Sequence, residues 1–283
     1  MPESLTIDGV SYTLVGVQRE GISAVYRGPD RYLRLGETHK MERDLMFHKR
    51  MESAGFPVAK LLEEGEYEGR KYFVEASLGE KRLGITFGED YGATGAIEAE
   101  HFNQMMEVVE THVRAQFSAQ VPVHWAEFAL GIHLDFLLKE LPESAAVISA
   151  KFEAVQSKLS TFPFVVTHGD FNPQNMYANG VIDLEDSFVA PAAYDAITAI
   201  VHIDSFPDTD QYEYFARYRF SPAQVASYLQ RIDSLFNAQN LPSPSAFKDE
   251  FAFCRLVWSA VRMHKWPKIQ QWRYDLLMDR FLK

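Results

Sequence analysis

Cysteine is almost missing from this sequence. Cys254 is the only one in 283 residues, so no internal disulfide can form. A lone thiol fits a reducing compartment, and the expected location is cytoplasmic. Long apolar runs are missing too: none approaches the roughly 20 residues that cross a bilayer as a helix. The opening Met1-Pro2-Glu3-Ser4-Leu5-Thr6-Ile7-Asp8 has neither the basic start nor the apolar stretch of a signal peptide. Positive charge is short, with 28 Lys and Arg against 39 Asp and Glu, a formal net charge of −11. That balance argues against nucleic acid and anionic membranes as partners. It mildly favours a neutral polar or cationic substrate. No two histidines stand at His-x-His or His-x-x-x-His spacing, which removes a histidine-ligated metallohydrolase. Repeats and low-complexity segments are absent.

Hydrophobic content of 47% and charged content of 24% are ordinary for a globular protein. The length suffices for a large core in one domain or two lobes. The most informative stretch runs from Val165 to Asp186. A β-type run, Val165 to Thr167, ends in a loop holding His168, Asp170 and Asn175. A second run, Val181-Ile182, delivers Asp183. Between them Ala178-Asn179-Gly180 carries Asn-Gly, a hairpin signal. Asp170, Asn175 and Asp183 are therefore expected around one hairpin. Phosphoryl transfer asks for this set: one Asp to take the proton of the attacking hydroxyl, and an Asn and a second Asp to hold Mg²⁺ on nucleotide phosphates.

His168-x-Asp170-x-x-x-x-Asn175, followed by Ile182-Asp183-x-x-Asp186, resembles the catalytic signature of the aminoglycoside phosphotransferase and choline kinase family. Pro191-Ala192-Ala193-Tyr194-Asp195 resembles the family's next motif, and Gly55-Phe56-Pro57-Val58 its helix-to-strand segment. The resemblance implies an α+β, two-lobed, protein-kinase-like fold. Residues 1–77 would form a small antiparallel-sheet lobe with one helix that binds nucleotide. Residues 78–283 would form a larger, mainly helical lobe with the catalytic loop and acceptor site.

The resemblance also assigns roles. Asp170 would be the base and His168 a brace for its loop. Asn175 and Asp183 would hold Mg²⁺. Asp195 would bond loop amides from behind, and Asp186 would assist the metal or bond the loop. ATP or GTP would be the phosphoryl donor. Gly21 and Ser23 would face its phosphates, Arg34 its α- and β-phosphates with Lys40 as a weaker alternative, and main-chain groups near Glu75 and Ser77 its base edge. Glu42, ahead of Glu37 and Glu52, would pair with Arg34. The partner would be a small-molecule hydroxyl acceptor, and the protein a monomer or homodimer. A catalytically idle nucleotide-binding regulator on the same fold is the other reading.

Around the motif, strands are expected at Ser11–Gln18, Ser23–Arg27, Tyr32–Leu35, 60–66 and 70–76. Helices are expected at 37–54, along Phe102–Phe117, from Trp125 to Leu141, at 143–160, after the capping box Ser221-Pro222-Ala223-Gln224, and over 268–282. Residues 80–97, rich in glycine, read as an irregular connection beside the cleft. Asp204, Asp208, Asp210 and Glu213, with Tyr212 and Tyr214, read as an acidic, aromatic rim suited to an amine or sugar. His264 and Trp266 are further acceptor-site candidates.

Overall fold

The structure is a computed structural model and describes residues 1–18 and 22–283. The first 76 residues build one antiparallel sheet and one helix. Strands β1 (Ser4–Ile7), β2 (Val10–Gln18), β3 (Ser23–Gly28), β4 (Arg31–Gly36), β5 (Leu61–Tyr67) and β6 (Arg70–Ala76) lie in the order β1-β2-β3-β4-β6-β5. Helix α1 (Thr38–Ser53) connects β4 to β5. Leu5, Tyr12, Tyr26, Leu33 and Val74 form the core of one sheet face. Strand β1 is an addition to the expectation. Asp8 and Gly9, both at positive φ, turn it back onto β2 in a two-residue hairpin.

Beyond β6 the chain is mainly helical: α2 (Leu83–Thr94), α3 (Ala99–Ser118), α4 (Trp125–Gly131), α5 (Leu134–Glu140), α6 (Ala145–Leu159), α7 (Tyr194–Val201), α8 (Pro222–Asn237), α9 (Lys248–Ala260) and α10 (Pro267–Phe281). A small sheet orders β11 (Phe188–Pro191), β8 (Phe164–Thr167) and β7 (Gln120–Val121). The hairpin β9 (Met176–Tyr177) and β10 (Gly180–Val181) stands beside it. One large apolar cluster joins these elements and takes in Met51 and Phe56 from the end of α1. Among the described residues no helix is long and apolar enough to cross a membrane.

Three expectations are corrected, and at each a glycine packs rather than bends. Residues 83–94 are a helix, not an irregular connection, because α2 lies tight against the segment that holds Gln174. A Cβ on Gly84 would come within 2.5 Å of the Gln174 side chain. The segment from Trp125 to Leu141 is two helices, because the chain turns left-handed at His133 (φ 60°) between them, and Gly131 at the end of α4 lies against the Phe188 ring, 2.7 Å from where a Cβ would sit. Gly180 is not the bend of its hairpin. It pairs with Tyr177 inside the ladder, and a Cβ there would meet the Pro57 carbonyl at 2.5 Å. That close approach lets Pro57 accept the Val181 amide at 2.7 Å, tying the hairpin to the segment after α1.

Candidate active site

Strand β8 ends at Thr167, and the chain then makes a turn that only glycine permits. Gly169 has φ +81°, and a Cβ on it would lie 2.0 Å from the Asp186 carbonyl. The turn is pinned from behind by Asp195, fully buried near the start of α7. Its carboxylate accepts from the amides of His168 (2.8 Å) and Gly169 (3.2 Å), from His112 Nε2 (2.8 Å) and from Gln116 Nε2 (2.9 Å). A buried carboxylate with no cation beside it is tolerated only when N–H donors surround it. His112 serves as a neutral donor: burial holds its pKa below the ordinary value despite Asp195. Its ring stacks on Phe171, with centroids 4.0 Å apart.

The turn presents Asp170. Its Oδ1 accepts from Asn172 Nδ2 (2.8 Å) and from an Arg255 terminal nitrogen (2.6 Å), and its Oδ2 from Asn175 Nδ2 (3.0 Å). Burial alone would raise this carboxyl's pKa. The Arg255 guanidinium overrides burial and holds Asp170 well below the usual carboxylate range. His168 does not face the same space. Its Nε2 donates to the Ile182 carbonyl at 2.8 Å, linking the turn to the residue before Asp183.

Asp183 sits at φ 70°, ψ 57°, a left-handed conformation that Asp tolerates better than most residues. Its Oδ1 receives Arg34 at 3.1 Å, and its side chain is 31% exposed. Asp170, Asn175 and Asp183 are thus brought together, and Arg34 joins them from β4. Asp186 forms a two-point ion pair with Arg262 at 2.8 and 2.7 Å.

Arg34 takes its second acid from the sheet. Glu42 is not its partner: it is 56% exposed and reaches Lys71 at 3.3 Å. Along α1 the buried positions are Lys40, Met41, Asp44, Leu45, His48 and Met51, and Glu42 falls outside that stripe. Glu75 pairs with Arg34 instead, at 3.2 Å. Register explains the pairing. Phe73 on β6 stands opposite Arg34, so Glu75 two residues on shares its face. Lys40 is likewise engaged, with Asp44 and with Glu185 at 3.1 Å. Ser23 is buried at the start of β3, opposite Gly36. The amides of Ala76 and Ser77 donate to Lys60 and Asp30, so neither is open to a nucleobase. Gly21 lies outside the described residues.

Two cavities meet this loop. A cleft of about 240 Å³ between the sheet and the β9–β10 hairpin has Val17, Val25, Leu78, Tyr177 and Ile182 as apolar walls and Arg34 and Asp183 at one end. A larger pocket of about 830 Å³ opens on Asp170, Asn172 and Gln174 and is closed by α2, α9 and the segment around Tyr214. Tyr214 and Trp266 line it, rings 4.6 Å apart. The acidic rim does not. Asp208 pairs with Arg219, and Asp204 lies 3.8 Å from Arg280. His264 points to Glu140 at 3.1 Å.

Sequence reasoning missed Arg255, which touches Asp170, and the His112–Gln116 pair behind Asp195. A signal for Arg255 was present. It falls within the apolar stripe Phe251, Cys254, Trp258, Val261, and an arginine on a buried face needs a buried partner.

A model of the phosphotransferase enzyme family matches residues 23–228. The chain belongs to the phosphotransferase enzyme family. No curated protein matches the sequence. Among solved structures, a thermostable mutant of aminoglycoside phosphotransferase APH(4)-Ia, in ternary complex with ADP and hygromycin B, superposes with a TM-score of 0.56 at 14% identity, covering 95% of this chain and 93% of that one. Aminoglycoside phosphotransferase APH(3'')-Id from Streptomyces rimosus gives 0.54 at 14% identity, covering 88% and 92%. At such identity the likeness establishes the fold: this phosphotransferase has the kinase-like α+β fold.

Acid should destabilise the phosphotransferase through its histidines. His202 is driven down to about 3 by burial and by Arg255, whose guanidinium donates to its Nδ1 at 2.7 Å. His112 is lowered as well. Below about pH 6.5 the unfolded chain binds protons that the folded chain refuses, so stability falls as pH falls. His202 contributes a slope of about 1.4 kcal/mol per pH unit between its folded value and that of the unfolded chain, and His112 acts in the same direction. Urea unfolding at pH 7 and pH 5 should show the loss, and His202→Gln should reduce it. An unchanged slope in the variant would exclude His202 as a source.

Proposed function

We propose that the protein is a small-molecule kinase that transfers the γ-phosphate of ATP or GTP to a hydroxyl group. One observation carries this reading. Asp183 faces the 240 Å³ cleft, Asp170 faces the 830 Å³ pocket, and Asn175 bonds Asp170 between them. A nucleotide in the cleft and an acceptor in the pocket would meet at this loop. Residues 1–77 would carry the nucleotide and residues 78–283 the acceptor.

In the proposed step the acceptor oxygen attacks the γ-phosphorus. The bond from that phosphorus to the bridging oxygen breaks, the oxygen keeps the electron pair and leaves as part of the nucleoside diphosphate, and the acceptor proton passes to Asp170. Among the described residues Asp170 Oδ2 accepts only from Asn175, which leaves a lone pair for that hydroxyl. A carboxylate with a depressed pKa is a weak base, so its main work is orientation, with proton transfer late. That suits a loose transition state in which the attacking oxygen carries little early charge. Arg34 would leave Asp183 for phosphate oxygens, a fit its planar fork favours.

The residues fit a hard divalent cation. Asn175 spends its Nδ2 on Asp170, which leaves its carbonyl oxygen available, and Asp183 offers a partly exposed carboxylate. Asn175 and Asp183 would hold Mg²⁺, which when bound neutralises charge on the phosphates.

The second reading, an idle nucleotide-binding regulator, draws on the Arg255–Asp170 pair, which weakens Asp170 as a base. Thermal melts with ATP or GTP, with and without Mg²⁺, test nucleotide binding. Stabilisation that needs the metal is expected, and its absence would defeat both readings. Nucleotide consumption across a hydroxyl-metabolite library then separates them.

A further inference from the structure

The 830 Å³ pocket is cationic in a chain whose net charge is −11. Four guanidiniums line it: Arg217, Arg255, Arg262 and Arg273. Two are balanced. Arg255 pairs with Asp170 and Arg262 with Asp186. Both also lie on Trp258, at 3.9 and 4.0 Å from the ring centroid. The other two have no acidic partner among the described residues. Arg273 is buried, and its partners are the carbonyls of Ser205 (3.1 Å) and Ser259 (2.7 Å) and the Phe206 ring. Arg217 rests over the Phe215 ring and, among the described residues, has no carboxylate within ion-pair distance. Among the described residues the one other carboxylate of the lining, Glu89, is 57% exposed and reaches Lys81 at 2.7 Å.

We propose that the acceptor is an oxyanion: a hydroxyl compound bearing a phosphate or carboxylate, bound by Arg217 and Arg273. The inference rests on the kinase reading, because it names that enzyme's second substrate. An uncompensated buried guanidinium is costly, and a bound anion removes the cost through charge-assisted hydrogen bonds. The pKa of Arg273 points the same way: burial, then Arg255 and Arg262, push it down to about 9, the mark of a site short of negative charge. A ligand rich in ammonium groups would meet repulsion here. Tyr214 and Trp266 offer aromatic walls for the carbon frame of the acceptor.

Calorimetric titration of the full chain, without nucleotide or Mg²⁺, tests this. The probes are inorganic phosphate, glucose 6-phosphate, gluconate, glucose and glucosamine at matched ionic strength. At least one of the three anions should bind at least about tenfold more tightly than glucose and glucosamine, a difference well inside calorimetric reach. Glucose 6-phosphate against gluconate tells phosphate from carboxylate. Arg217→Glu, at an exposed position, should abolish the preference, and Arg273→Gln should weaken it with the melting temperature recorded alongside. Equal binding of all probes, binding of none, a preference for glucosamine, or an anion preference that survives Arg217→Glu overturns the proposal. The kinase reading fails separately, if ATP with Mg²⁺ neither stabilises the chain nor is consumed.

Discussion

Replacing Asp170 with Asn should lower turnover by about a hundred- to ten-thousandfold, the range for losing a positioned general base. Nucleotide binding should survive, because Asp170 faces the 830 Å³ pocket and not the 240 Å³ cleft. The substitution nearly preserves shape but not bonding. Asp170 accepts on both oxygens, from Asn172 and Arg255 on one and from Asn175 on the other. An amide has one acceptor oxygen, so one of these donors must meet an N–H. Arg255, buried, also loses its anion. Breaking a buried pair by removing one member costs about 3–5 kcal/mol. The measurement is therefore kcat at saturating nucleotide with the melting temperature of the same preparation. A folded variant with unchanged turnover would end the mechanism. A folded variant that binds nucleotide and has lost turnover is the expected result.

Asp183→Ala should remove the Mg²⁺-dependent part of nucleotide binding, at least about tenfold in Kd. The change takes away one of two proposed metal ligands and also frees Arg34, whose charge Asp183 shares with Glu75. Binding of ATP without metal should hold or improve, since Arg34 no longer has to leave a carboxylate. Opposite signs with and without Mg²⁺ would identify a metal ligand; a purely structural residue would weaken both. Residue 183 is left-handed, and Ala pays roughly 1–2 kcal/mol there. Asp183→Asn keeps that conformation accessible while halving the metal-facing oxygens, so it serves as the control. Calorimetry with and without Mg²⁺ reads both variants. Unaltered Mg²⁺-dependent binding would remove Asp183 from the metal site.

Much of the site was legible because it is local. Asp170, Asn175 and Asp183 fall within 14 residues, and a strand, a loop and a hairpin hold neighbours together wherever the rest of the chain goes. The capping box at Ser221 and Gln224 was legible for the same reason, and both of its bonds are made, at 2.9 and 3.2 Å. The phase of α1 was readable in principle. Lys40, Asp44, His48 and Met51 mark its inner face, and placing Glu42 on that face was an error of about half a turn.

The sequence by itself determined that an acid, an amide and a second acid, Asp170, Asn175 and Asp183, gather around one short hairpin, and the α+β division of strands before helices. Tertiary structure decided which charges meet. Arg34 found Glu75, 41 residues away, because two strands pair in one register. Arg255 found Asp170 across 85 residues because α9 lines the same pocket that Asp170 faces. The electrostatic sign of the acceptor pocket was decided the same way. Composition reports a net charge of −11, yet folding gathers Arg217, Arg255, Arg262 and Arg273 around one cavity and leaves most acids outside it. Net charge sums over the whole surface, while Coulomb energy inside a shielded pocket depends on the few groups within ångströms, and only the fold chooses those.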